Sequence, residues 1–254
     1  MTPLVTSRVR PDGIGELRLT RPAKRNALSH ALVDEAERAV DAFEDAGVSV
    51  ALLRADPPIF CAGNDLGEAI AERDRPAADR FFALLLERPL FWIAALDGPA
   101  LGAGVAVAAI CPVAVMAHDA WLALPELQIG LFPSGVLPYV EPFAGARRSL
   151  EMGLTGARVT AADAVAMSLA TEAVDGGRLD AAVERWCAIA AARPQVTDAA
   201  RRSWQARFRT EAARERTAQQ LEILGSQSFA SEQQDAADPR PQDVVQSSAE
   251  EELA

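Results

Sequence analysis

Lysine occurs once in the 254 residues, at Lys24, and tyrosine once, at Tyr139. Histidine occurs twice, at His30 and His118, and cysteine three times, at Cys61, Cys111 and Cys187. Three cysteines are too few, and odd in number, for a disulfide scaffold. Their spacing fits no zinc motif and two histidines make no His-rich centre, so no metal site is expected. Basic charge is also short: 25 Lys and Arg stand against 36 acids, a net charge of −11. A nucleic-acid binder needs a cationic face, so no nucleic-acid partner is expected. Met1–Arg8 has no apolar core behind a basic start, so a signal peptide is not expected. One run, Gly98 to Ala117, carries no charge for the length of a membrane span. It holds Pro99 and Pro112, and Asp97 and His118-Asp119 flank it without a basic anchor. It reads as a buried helix and strand, so no membrane partner is expected and the cytoplasm is the expected compartment.

Apolar residues make up 50% of the chain and charged residues 24%, which excludes disorder of the whole. A chain of this length buries roughly three quarters of its unfolded surface, enough for one large core. Leu17 and Leu19 alternate with Glu16 and Arg18, so Ile14–Thr20 reads as a strand. A turn follows over Arg21–Asn26. Ser29 then has the form of an N-cap, with Leu32, Val33, Ala36, Val40 and Phe43 as a helical stripe ending at Gly47. Val48–Leu53 is a buried strand, broken by Pro57-Pro58. A small-residue loop, Phe60–Gly67, precedes a charged helix over about Arg75–Glu87. Leu90–Leu96 reads as a strand, Ala103–Ile110 as a closely packed helix, and Pro112–Ala117 as a further strand. The alternation indicates an α/β class with buried sheets.

Beyond Pro125 the pattern is helical: Arg147–Leu154, Ala161–Leu169 after a Thr160 cap, Leu179–Ala192, and Thr197 to about Gly225. Charge on most faces of Arg201–Arg216 suits packing on a neighbour or subunit. From Ser226 to Ala254 seven acids face one base, and from about Ser231 the composition suits a mobile tail. The expected organisation is a core over 1–195, a helical oligomerisation region over 196–230 and an acidic tail over 231–254.

Several signals fail. Gly102-Ala103-Gly104 lacks the third glycine of a dinucleotide loop, there is no Gly-x-Ser-x-Gly elbow, and there is no Walker loop. Three segments carry a specific signal: Leu19-Thr-Arg-Pro-Ala-Lys-Arg-Asn-Ala-Leu28, Ile59-Phe-Cys-Ala-Gly-Asn-Asp-Leu66, and Asp97-Gly-Pro-Ala-Leu-Gly-Ala-Gly104 running on to Leu124-Pro-Glu-Leu-Gln-Ile-Gly-Leu-Phe-Pro-Ser-Gly135. In this order and spacing they resemble the enoyl-CoA hydratase/isomerase (crotonase) family, and the resemblance covers about residues 10–190. It implies a crotonase-like spiral of ββα units with a helical C-terminal region. It also implies a homotrimer or dimer of trimers, and no cofactor beyond the CoA carried by the acyl-CoA substrate.

The resemblance implies that a thioester enolate is held by two backbone donors, the N–H groups of Asn64 and Ala103. Ala103 stands where the family usually has glycine. The resemblance also sets Lys24, Arg25, Ala27, Ala62, Gly63, Asp65, Leu66, Gly67 and Gly102 against the substrate. Lys24 and Arg25 read equally as phosphate partners or as a solvated basic turn, and Asp65 as a helix cap. Resembling hydratases carry two catalytic glutamates; here one position is Ala106 and the other is Glu126. One carboxylate suffices to shuttle a proton between carbons, so 3-enoyl-CoA to 2-enoyl-CoA isomerisation leads. Hydration, decarboxylation, thioester hydrolysis, C–C cleavage and a non-catalytic acyl-CoA-binding role stay open. Tyr139 reads as an acyl-pocket residue or as a core or interface residue.

Overall fold

The computed structural model describes residues 2–69 and 77–208. A six-stranded sheet contains β1 (Val5–Val9), β2 (Gly15–Leu19), β3 (Val50–Ala55), β4 (Phe91–Leu96), β6 (Val113–Ala117) and β9 (Glu172–Val174), in the order β1-β2-β3-β4-β6-β9. β1 pairs antiparallel with β2, and every later pair is parallel. A second sheet has three strands, β5 (Ala100–Leu101), β7 (Trp121–Ala123) and β8 (Val159–Thr160), in the order β5-β7-β8. The α/β expectation holds, and the form of the repeat is visible. β4 passes to β5 and then to α4 (Ala103–Ile110); β6 passes to β7 and then to α5 (Leu137–Thr155). Each ββα unit places its first strand in the large sheet and its second in the small one.

Parallel sheets need cover on both faces, and the strand sequences supply it by alternation. Ala51 and Leu53 of β3, with Trp92, Ala94 and Leu96 of β4, face one core. That core is shared with α1 (His30–Asp45), α3 (Ala77–Glu87), α4 and α5. Val50, Leu52, Ile93, Ala95, Val113 and Val115 face the other core, closed by Leu179, Ala182, Val183, Cys187 and Ala190 of α7 (Leu179–Ala191). Ser29 caps α1 as expected, its side chain accepting from Leu32 N at 3.2 Å, and the whole predicted stripe is buried. Thr160 caps α6 (Ala161–Ala166) in the same way, accepting from Asp163 N at 3.1 Å.

Two expectations change. The helix read as charged, α3, buries Ala77, Ala78, Phe81, Phe82, Leu84 and Leu85, so it is amphipathic; its predicted start at Arg75 lies outside the described residues. The helix expected over Arg147–Leu154 is the second half of α5. Gly145, at φ 76° and ψ 157°, breaks the helix, and Pro142 precedes the break. The region read as packing on a neighbour or subunit begins as α8 (Pro194–Ala206), which packs on neighbouring elements of its own chain. Trp204 Nε1 donates to Ile110 O at 2.7 Å and Gln205 Nε2 to Arg88 O at 3.2 Å. Trp204 also stacks on Phe143 of α5, with ring centroids 5.2 Å apart. The remainder of the 196–230 region beyond Phe208, and the tail over 231–254, lie outside the described residues. Among the described residues no helix is long and apolar enough to cross a membrane. The uncharged Gly98–Ala117 stretch divides into β5, α4 and β6.

Candidate active site

Two loops meet where the second strands give way to helices. Leu28 N donates to Gly63 O at 2.7 Å, and Asp65 N donates to Leu28 O at 2.9 Å. The peptide between Gly63 and Asn64 has its carbonyl turned to Leu28, so in a trans peptide the Asn64 N–H points the opposite way. Gly63, at φ 87°, lies against Ala103: a Cβ on it would sit 3.0 Å from Ala103 N and 3.1 Å from Leu101 O. That close approach is why the position is glycine. Ala103 opens α4, where the first N–H groups have no carbonyl in their own helix. Among the described residues, neither the Asn64 N–H nor the Ala103 N–H donates to a protein acceptor. The structure therefore brings the two predicted donors side by side, at the positive end of a helix.

Glu126 comes to the same place by a different route. β5 and β7 pair in register, Leu101 opposite Ala123, and Gly102 N donates to Ala123 O at 3.0 Å. The chain then leaves β7 through a 3₁₀ turn, Pro125–Ile129. Gly130 closes this turn at φ 73°, with Leu131 N bonding back to Glu126 O at 3.0 Å. Glu126 Oε1 lies over Gly102, 2.9 Å from where a Cβ would stand. Its Oε2 is buried and has no hydrogen-bond partner among the described residues. Burial pushes the Glu126 carboxyl up to about 7, only partly opposed by a bond from its own backbone. A carboxyl that titrates near neutrality, aimed beside two free N–H donors, is a candidate general base. Ala106, one turn beyond Ala103 on α4, is fully buried and brings no second carboxyl.

The remaining predicted residues surround this point in different roles. Lys24 and Arg25 are exposed on their turn and form no ion pair among the described residues. That turn is bound to the loop, since Ala62 N donates to Arg25 O at 3.0 Å. Ala27 is buried, and its carbonyl accepts from Arg21 at 3.2 Å. Leu66 is 48% exposed and begins α2 (Leu66–Ala69). Asp65 takes the capping role: Oδ1 accepts from Gly67 N at 3.0 Å and Oδ2 from Arg21 Nη1 at 2.6 Å. Arg21 and Gly67 hold its carboxyl below the usual range against the opposing effect of burial. The Asn64 side chain faces away from catalysis, its Oδ1 accepting from Ala78 N of α3 at 3.1 Å. Tyr139 joins an aromatic cluster, 4.7 Å from Phe82 and 6.0 Å from Phe208 between centroids. The Cys61 thiol is fully buried and burial pushes it up to about 12, so it is no nucleophile.

Sequence reasoning overlooked Arg21 and Asn26. Asn26 is fully buried in the left-handed region at φ 52°, beside Arg25 at φ 54°. Its Oδ1 accepts from Arg21 N at 2.9 Å, and its Nδ2 donates to Asp56 O at 2.7 Å and to Ile59 O at 2.6 Å. An asparagine at the end of a Pro-initiated turn was the available signal, because Asn tolerates this conformation.

Comparison with known proteins agrees with this geometry. Residues 10–236 match the family model described as enoyl-CoA hydratase/isomerase. The 2,3-dehydroadipyl-CoA hydratase of Escherichia coli K12 is 35% identical over 171 residues, covering 61% of this chain and 64% of that protein. The probable enoyl-CoA hydratase echA6 of Mycobacterium leprae is 33% identical over 159 residues, covering 59% and 63%. The chain thus spans a little under two thirds of the length of these curated relatives. The enoyl-CoA hydratase structure from Mycobacterium smegmatis superposes with a TM-score of 0.75 at 27% identity, covering 87% of this chain and 91% of that one. That of an enoyl-CoA hydratase/isomerase from Xanthobacter autotrophicus Py2 gives 0.76 at 28% identity, covering 87% and 85%. With most of its length matched by the family model and its fold shared with solved members, the chain belongs to the enoyl-CoA hydratase/isomerase (crotonase) family.

Proposed function

We propose that the protein binds acyl-CoA thioesters and isomerises 3-enoyl-CoA to 2-enoyl-CoA. One observation carries this: the half-buried carboxyl of Glu126, with Oε2 buried and unpartnered among the described residues, stands over Gly102 beside Ala103, whose N–H and that of Asn64 are unbonded there, with Ala106 where a second acid would be needed. In this reading the thioester oxygen accepts from both N–H groups. Ionised Glu126 removes a proton from C2, the charge passes to the thioester oxygen as an enolate, and the C3–C4 double bond moves to C2–C3. The neutral Glu126 then returns the proton to C4. The proton count closes on one carboxyl, and no water enters. Donors fixed in place before the charge develops are worth about 10²–10³ in rate each.

Hydration is the second reading, favoured by the names of the relatives. It needs one group to activate water and one to deliver a proton, and Ala106 supplies neither. The test is turnover of a 3-enoyl-CoA and a 2-enoyl-CoA, read by mass spectrometry and ultraviolet absorbance. Isomerisation keeps mass, whereas hydration adds water. Glu126→Gln is expected to lower isomerisation by about 10²-fold or more while leaving acyl-CoA binding nearly unchanged. Fast hydration by the wild type would replace this reading with the second. Tight binding without turnover of either substrate would leave an acyl-CoA-binding protein. We also propose that the chain assembles as a homotrimer or dimer of trimers, which light scattering on a sizing column would test.

A further inference from the structure

The basic turn and the oxyanion-binding loop are joined more tightly than two neighbouring loops need to be. Three main-chain hydrogen bonds link them, Ala62 N to Arg25 O, Leu28 N to Gly63 O and Asp65 N to Leu28 O. One side chain bridges the rest. Arg21 Nη1 donates both to Asp65 Oδ2 at 2.6 Å and to Ala27 O at 3.2 Å, and both charged side chains are mostly buried, at 17% and 13% exposure. Arg21 also shapes the turn through its backbone, since its carbonyl accepts from Lys24 N at 3.0 Å and Asn26 N at 2.9 Å. The turn has little freedom to absorb a displacement locally. Arg25 and Asn26 occupy the left-handed region, and the Asn26 side chain is bonded at both ends. Among the described residues a shift at Lys24–Arg25 can pass to the loop through the Arg25–Ala62 bond, through Asn26 to Asp56 and Ile59, and through Arg21 and the Leu28 bridge; the last of these reaches the peptides on either side of Asn64.

We infer that Arg21 is a positioning residue that couples occupation of the Lys24–Arg25 turn by a CoA phosphate to the set of the Asn64 N–H. The inference rests on the acyl-CoA reading above. It assigns the nucleotide end of the substrate a second role: its binding energy is realised at the thioester, where it raises kcat and not affinity alone. Arg21 touches neither end of the substrate and acts through Asp65.

The test uses CoA itself as the probe and compares amide hydrogen exchange over residues 61–67 with binding measured by calorimetry. In the wild type, CoA is expected to slow exchange of these amides by about threefold or more. Arg21→Met removes the ion pair at similar length. It is expected to bind CoA within about threefold of the wild type and to lose the slowing. On a 3-enoyl-CoA, Arg21→Met should lower kcat about 10-fold with KM within about threefold, while turnover of the corresponding pantetheine thioester, which lacks the nucleotide, stays the same. Arg21→Lys keeps the cation but not the two-acceptor reach, so it should fall between. If Arg21→Met does not fold, Arg21→Gln removes the charge while keeping a donor for Ala27 O and should give the same split. Slowing that persists in the variants, or a loss of kcat equal on both thioesters, would overturn the coupling. CoA that binds the wild type without slowing exchange would do the same while leaving the acyl-CoA reading intact. Failure of the wild type to bind CoA would overturn that reading and the coupling with it.

Discussion

In the proposed reaction Glu126 sets the acid limb. Its folded carboxyl titrates near 7, above its ordinary 4.5, because burial disfavours the charge. The base must be ionised, so kcat/KM should fall as pH drops below about 7, and Glu126→Gln should remove that limb along with most of the rate. Stability runs the opposite way. A raised folded pKa means that the fold favours the proton, so the contribution of Glu126 to stability is fully present below 4.5 and lost as pH rises through 7. Glu126→Gln should therefore match the wild type near pH 4 and exceed it at pH 8, by at most about 3 kcal/mol in urea unfolding. Gly102 gives a second handle. Its φ of 54° and ψ of −124° are costly for any side chain, and a Cβ would meet Glu126 Oε1 at 2.9 Å. Gly102→Ala should displace the carboxyl and lower kcat at least about 10-fold, with strain on the order of 1–3 kcal/mol in the same unfolding assay. The proposed reacting groups, which the structure places together, could be picked out in the sequence because they are carried by short motifs: Glu126 after Pro125, Asn64 after Gly63, Ala103 before Gly104. Arg21 and Asn26 were not, because their roles depend on partners at Asp65, Asp56 and Ile59 that no local pattern announces.

Among the elements, helices with caps and stripes were legible and short strands were not. Ser29 with the Leu32–Phe43 stripe gave α1, and the uninterrupted small-residue run gave α4 from Ala103 to about Ile110. β1, Val5–Val9, buries only its first residue, so no alternation marks it. β7, β8 and β9 are two or three residues long and exist because a neighbour supplies the pairing. The first half of α5 was concealed by Pro142 and Gly145, which break the pattern without ending the element. α8 is fastened to the C-terminal ends of α4 and α3 by Trp204 and Gln205, with Arg201 mostly buried against Asp198 and Gln205. Trp204→Ala removes the bond to Ile110 and the stacking on Phe143, and should cost about 2–4 kcal/mol in denaturant unfolding. Ser29→Ala, which removes only a cap, should cost about 1 kcal/mol. A larger loss at Ser29 than at Trp204 would mean that α8 is a loosely held appendage.

At the scale of the whole molecule, the site and its support are made at different times. The three proposed reacting positions, Asn64, Ala103 and Glu126, all precede β9, and the core behind them is assembled from α1, α3, α4 and α5. The opposite face of the large sheet is a continuous apolar surface of Ile14, Val50, Leu52, Ile93, Ala95, Val113 and Val115, and among the described residues α7 covers it. A chain ending after Arg178 would retain the three proposed reacting positions and lack that cover. It should precipitate or bind a hydrophobic dye, where a chain ending after Phe208 should not, and centrifugation of the two after expression checks this. The same arrangement makes translation a hazard. At about 5–20 residues per second, roughly 10–35 s separate the synthesis of Ile14 from that of Ala190, the last residue α7 lays on this face. In the later part of that interval, from the synthesis of Ala117 onward, a largely finished sheet has one greasy side that α7 has yet to cover. The emerging protein is therefore a natural client for chaperones on the ribosome, and synonymous codons that slow elongation just before Leu179 should lower its soluble yield while leaving its sequence untouched.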